Sequence, residues 1–218
     1  MPRFHKNAPI RIITIVDAAQ GEEADPPLKT RDHQCVMTLL CSTVTPDQDS
    51  LPPGSLCMCG IISYSSSGVS RVSHASFDFE AIAAVSSIDL MVNVKELVGE
   101  VTLYNCPPLR EKDNRKTWRD LLPATELHTD SMGLVKATRL GLVQSLSSRR
   151  RRDVLDLRDC MSSGDVSTVL HIDGKTNPVD TGTKRQERTT EALPLLLEIA
   201  ERGRYWPHPS SDFLKTFS

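Results

Sequence analysis

The chain has 218 residues, 39% of them apolar and 25% charged, with 26 Lys and Arg against 28 Asp and Glu for a net charge of -2. These values fit one soluble globular domain with tails and exclude a fibrous or wholly disordered chain. They also exclude a global basic field, so any nucleic-acid contact must come from a local patch.

The first residues, MPRFHKNAPIRIITIVDAAQ, contain no apolar run long enough for a signal peptide before Asp17, and no window approaches a membrane span. An intracellular protein, cytoplasmic or nuclear, is expected. Residues 1–9 read as a tail. IRIITIV (10–16) is a short β-branched run that ends at Asp17 and predicts a buried strand. GEEADPPLKT carries a Pro-Pro pair and reads as a loop. HQCVMTLLCSTV (33–44) and LCMCGIISYSS (56–66) predict two further strands around the turn-rich TPDQDSLPPG, so the three runs suggest an antiparallel meander.

The period then changes. In SFDFEAIAAVSSIDLMVNVKELVGE (76–100), Phe79, Ile82, Ala83, Ser86, Leu90, Val94 and Leu97 recur every three or four residues, which predicts a long helix with one buried face. Residues 101–125, with Pro107, Pro108 and REKDNRK, read as a loop insertion. ELHTDS (126–131) is a short fourth strand ending in an acidic residue, followed by the helix-like SMGLVKATRL. RRRRDVLDLRDCMSSGD (149–165) predicts a helix stopped by Gly164, VSTVLHI (166–172) a fifth strand, and NPVDTGTKRQERTTEALPLLLEIAERG (177–203) a last helical stretch that Pro194 should kink or interrupt. Residues 204–218 read as an irregular tail. The order β-β-β-α-β-α-α-β-α is an α/β layout in one domain spanning 10–203.

Six cysteines, Cys35, Cys41, Cys57, Cys59, Cys106 and Cys160, stand in a chain with no secretory signal, which favours free thiols. His33, Cys35, Cys41, Cys57 and Cys59 invite a zinc reading, but the spacing lacks a second close pair, and small apolar packing explains Cys57 and Cys59 on one side of a strand.

Asp180-Thr181-Gly182 carries the letters of an aspartic protease loop. Such a loop needs a second copy so that two carboxylates share a proton, and the chain has none, although a homodimer could supply one. The context argues harder. Asn177 followed by Pro178 is an N-cap and first helical residue, which places Asp180 on a first helical turn, where the dipole keeps a carboxylate ionised and suits metal ligation.

Other acidic residues are placed alike: Asp17 ends the first strand, Asp130 the fourth, and Glu80 lies in the first turns of the long helix. Alone, each reads as a turn or cap residue. If the first and fourth strands are neighbours, all four carboxylates can converge, and such a group demands hard divalent cations, Mg²⁺ or Mn²⁺. Two such ions could support phosphodiester hydrolysis.

The stretches IVDAA, SRVSHASFDFEAIAA, LHTDS, RRRRDVLDLRD and HIDGKTNPVDTGTKR, taken in order over about residues 10 to 190, resemble the landmarks of the ribonuclease H domain of copia-type retrotransposon Pol polyproteins. The chain looks like a fragment or decayed copy of that module. The resemblance implies a ribonuclease H-like α/β fold, a five-stranded mixed sheet flanked by helices, and metal-dependent cleavage of the RNA strand of an RNA–DNA hybrid. It makes Asp17, Glu80, Asp130 and Asp180 the ligands of two Mg²⁺ ions, with Mn²⁺ as substitute, and assigns Ser131, Arg151, Arg152, Lys184 and Arg185 to the site or the hybrid backbone. A reverse transcriptase domain is the implied companion; no membrane and no obligate oligomer are implied. Ala19, Phe79, Val179 and Gly182 depart from the family pattern. The run Arg149 to Arg152 also admits a nuclear localisation signal or a plain solvated helix start. His74 and His171 read as surface or packing residues, and His128, two residues before Asp130, is expected to point to the opposite side from its neighbour along the strand.

Overall fold

The structure is a computed structural model and describes residues 9–19, 32–43, 55–69, 76–102, 122–141, 148–183 and 192–207. β1 (Ile10–Ala19), β2 (His33–Ser42) and β3 (Cys57–Gly68) form the expected meander, antiparallel throughout. After the helix α1 (Ser76–Thr102), the chain returns as β4 (Ala124–Thr129), which lies parallel to β1 on its other side. Helices α2 (Met132–Leu140) and α3 (Ser148–Ser163) follow, then β5 (Thr168–His171), parallel to β4. Two short 3-10 turns, Gly174–Thr176 and Pro178–Gly182, lead towards α4 (Ala192–Arg202) and β6 (Arg204–Tyr205). The sheet order is β5-β4-β1-β2-β3-β6.

The chain is therefore a mixed α/β fold with one mixed sheet flanked by helices. Among the described residues it has six strands where five are expected. The sixth comes from the stretch read as an irregular tail: Arg204 and Tyr205 pair with Met58 and Cys57, and the Cys59 N–H donates to the Gly203 carbonyl at 2.7 Å. A two-residue strand is too short to leave a periodic signal. At the other boundary, β4 begins at Ala124, inside the stretch read as a loop.

β1 is buried on both sides, which is why its sequence is a continuous apolar run rather than an alternation. Ile12 and Val16 join a core with Phe79, Ala83, Met91, Leu127, Leu134 and Leu157, packed under α1, α2 and α3. Ile13 and Ile15 join Met37, Leu39, Val179, Ile199 and Tyr205 under α4. The face that α1 buries differs from the expected one. Phe79, Ala83 and Val94 are buried, but Ser86 is exposed and Leu97 is 60% exposed, and the seam runs instead through Ala84, Ser87, Ile88 and Met91. Ala81, Ala83 and Ala84 are all buried, and side chains this small let the helix sit close to the sheet.

The last expected helix also differs. Asn177 does cap, its Oδ1 accepting from the Val179 N–H at 3.3 Å, and Pro178 comes first, but the element is a single 3-10 stretch ending at Gly182. The described part of the following α-helix is Ala192–Arg202 and contains Pro194, while residues 184–191 lie outside the described residues. Gly164, at φ +81°, ends α3 as expected.

Candidate active site

Parallel pairing of β1 and β4 puts the ends of both strands at one edge of the sheet. Ile15 pairs with His128, and continuing that register by two places sets Asp17 beside Asp130. α1 begins over the same edge and delivers Glu80 from its second turn. Asp17, Glu80 and Asp130 thus each present a carboxylate oxygen within 4.8 Å of one another, the group of possible metal ligands found among the described residues.

Glu80 is the most constrained of the three. It is 7% exposed; the Ala18 N–H donates to its Oε1 at 3.3 Å, and the Thr129 hydroxyl donates to its Oε2 at 3.4 Å. Burial, then the charges of Asp130 and Asp17, push its carboxyl up to about 9, against the pull of those two hydrogen bonds. Three carboxylates this close hold their full charge only beside a cation.

Asp130 sits where β4 stops, and its surroundings explain the stop. The Thr129 hydroxyl accepts from the Ser131 N–H at 3.1 Å, and Ser131 then caps α2, its Oγ accepting from the Leu134 N–H at 3.4 Å. His171, on β5, lies with Nε2 2.8 Å from the Asp130 backbone oxygen. A Cβ on Gly174 would stand 3.2 Å from Asp130 Oδ2, so the first 3-10 turn runs close against this carboxylate.

Asp180 is brought near but not into the group. It is 6% exposed, on the second 3-10 turn, and its carboxylate lies outside the 4.8 Å cluster. The same turn touches the cluster through Thr183, whose hydroxyl donates to Asp17 Oδ2 and lies 3.2 Å from the Asp180 backbone oxygen. Thr183, Thr129 and Gly174 were not legible as site residues. Their only signal is adjacency to Asp180, Asp130 and the Asp173 turn.

Of the expected nucleic-acid contacts, Arg151 and Arg152 are exposed near the start of α3, while Arg150 pairs with Asp78 near the start of α1. Lys184 and Arg185, like His74 and Cys106, lie outside the described residues. The cysteines do not form a zinc site among the described residues. Cys35, Cys41, Cys57 and Cys59 are buried free thiols, and burial pushes Cys35 up to about 11 and raises Cys41 further from thiolate. His128 belongs to a separate buried group on β4: its Nε2 lies 2.9 Å from Glu126 Oε2, its Nδ1 lies 2.9 Å from the Tyr205 hydroxyl, and Glu126 also pairs with Arg11.

No family model matches the chain, and no curated protein matches it in sequence. Among solved structures it is similar to RNase H1 from the halophilic archaeon Halobacterium salinarum NRC-1, at 15% identity and a TM-score of 0.43, covering 84% of this chain and 98% of that one. It is similar to the RNase H domain of PFV at 13% identity and a TM-score of 0.44, covering 89% and 94%. A third likeness is LC11-RNase H1 in complex with RNA/DNA hybrid, at 12% identity and a TM-score of 0.40, covering 77% and 88%. Likenesses of this size carry no weight for activity or substrate. No helix among the described residues is long and apolar enough to cross a membrane.

Proposed function

We propose that the chain is a retrotransposon-derived ribonuclease H, a metal-dependent nuclease that hydrolyses the RNA strand of RNA–DNA hybrids. One observation carries this reading: Asp17, Glu80 and Asp130 come from three separate elements and still meet within 4.8 Å. An all-oxygen, multiply acidic donor set fits a hard divalent cation such as Mg²⁺ or Mn²⁺ and fits a soft one poorly. Such ions supply positive charge at the scissile phosphate. The ordered landmarks of the copia-type module support the choice of substrate and the retrotransposon origin, with a reverse transcriptase domain as companion in a longer polyprotein.

In this reading Asp17, Glu80 and Asp130 would hold the ions, and Asp180, whose carboxylate lies outside their 4.8 Å cluster, would be the fourth ligand. Arg151 and Arg152, exposed at the start of α3, meet the phosphate backbone. Lys184 and Arg185, which lie outside the described residues, are assigned to the same backbone by the resemblance alone, and Ser131 steadies the Asp130 end. The hybrid is distinguished by its shape and 2′-hydroxyls rather than by base sequence.

The purified chain is expected to cut the RNA strand of an end-labelled hybrid in Mg²⁺, and Asp130→Asn to abolish the cut. Cleavage that survives that substitution, or EDTA, overturns the proposal. A second reading has one observation in its favour: Asp180 stands outside the cluster. An inactive copy would bind the hybrid in a salt-sensitive manner and show no metal-dependent cleavage.

A further inference from the structure

We infer that Thr183 is a positioning residue for the carboxylate site, holding the Asp17 side chain in the rotation at which it meets Glu80 and Asp130. The inference rests on the metal-site reading above and names a residue that reading does not use. The terminal torsion of an Asp side chain is soft and broadly populated, so a carboxylate at a strand end turns unless something holds one oxygen. The Thr183 hydroxyl does this by donating to Asp17 Oδ2. Its alternative acceptor is the Asp180 backbone oxygen at 3.2 Å, a neutral carbonyl three residues back in the same turn. A carboxylate is the stronger acceptor of the two, which sets the hydroxyl towards Asp17.

The donor is itself fixed. The Ser66 hydroxyl, on β3, donates to the Gly182 carbonyl at 2.7 Å. A Cβ on Gly182 would fall 2.4 Å from Cys35 Sγ and 2.7 Å from the Tyr64 hydroxyl, so the turn lies flat on β2 and β3 with no room for a side chain. Cys35 is the register partner of Asp17 across the β1–β2 pair. Thr183 is thereby clamped to the strand next to the carboxylate it touches, in the manner of outer partners that orient metal ligands.

The test is Mn²⁺ binding to the whole chain, read from the electron paramagnetic resonance signal of the free ion, for wild type, Thr183→Val, Thr183→Ser, Thr183→Ala and Asp130→Asn. Wild type is expected to bind and Asp130→Asn to lose binding. Thr183→Val is expected to bind roughly tenfold more weakly, the usual effect of losing an outer partner. Thr183→Ser, which keeps the hydroxyl, should stay near wild type. Thr183→Ala stands in if the valine variant does not fold. Wild-type affinity in the valine or alanine variant overturns the inference while leaving the metal site intact. Loss of the fold in both would assign the hydroxyl a structural part and equally overturn it. No Mn²⁺ binding by wild type, or undiminished binding by Asp130→Asn, defeats the metal-site reading itself.

Discussion

Glu80→Gln is expected to make the metal-free protein more stable, even though it removes a proposed ligand. With its carboxyl pushed up to about 9, the folded chain keeps a proton on Glu80 that the unfolded chain releases near 4.5. The folded state then binds more protons than the unfolded state between those two values, so stability falls as pH rises through that window. Each pH unit above 4.5 costs about 1.4 kcal/mol, which amounts to about 5 kcal/mol near pH 8. The amide that replaces the carboxyl adds N–H groups beside Thr129 that must be satisfied, offsetting about 2 kcal/mol. The net gain is about 3 kcal/mol, or roughly 6–12 °C in Tm for a domain of this size. The assay is thermal unfolding by circular dichroism in EDTA, near neutral-to-basic pH and again near pH 4.5, where the gain should reverse and the variant melt below wild type. Millimolar Mg²⁺ should then raise the wild-type Tm and leave the variant nearly unmoved. A variant melting at or below wild type at high pH in EDTA, with no crossover on acidification, refutes the reasoning that three carboxylates repel there.

Other outcomes follow from neighbouring contacts. Gly182→Ala should cost about 1–3 kcal/mol in urea unfolding, because its Cβ meets Cys35 Sγ and the Tyr64 hydroxyl, and adding Cys35→Ala should recover part of that loss. Glu126→Gln leaves Arg11, with a side chain only 12% exposed, without its partner charge, and should lower stability by about 3–5 kcal/mol. A change below half a kilocalorie would mean that Arg11 finds solvent instead. Tyr205→Phe removes the hydroxyl that faces His128 Nδ1 at 2.9 Å, so about 1–3 kcal/mol should be lost and the imidazole proton resonances of His128 should move.

The parts of this molecule legible in the sequence are those with local causes. IRIITIV reads as a buried strand because both its faces are covered, and Asn177-Pro178 reads as a helical start because cap and ring chemistry act over two residues. The convergence of Asp17, Glu80 and Asp130 was legible only through their placement at element ends and the family order of the landmarks. What was not legible depends on distant packing. Nothing near Arg11 announces Glu126, 115 residues away, and nothing in RYWP announces a strand. The buried face of α1 is not legible in its sequence because Ala81, Ala83 and Ala84 satisfy several helical registers equally, and the sheet beneath decides among them. The lack of a side chain at Gly182 is explained by Cys35 and Tyr64, residues of β2 and β3 that share no motif with it.

The pairing of β1 with β4 also has a kinetic side. The carboxylates at its end cannot meet until strands more than a hundred residues apart have found each other, and the Thr183 contact to Asp17 spans 166 residues. Chains whose defining contacts are this remote fold slowly, because loop closure precedes any reward. A divalent cation therefore finds no site on the early chain and cannot seed folding as zinc does in a zinc finger. If the proposed site binds Mg²⁺ only once these strands have paired, Mg²⁺ should slow unfolding and leave the refolding rate unchanged.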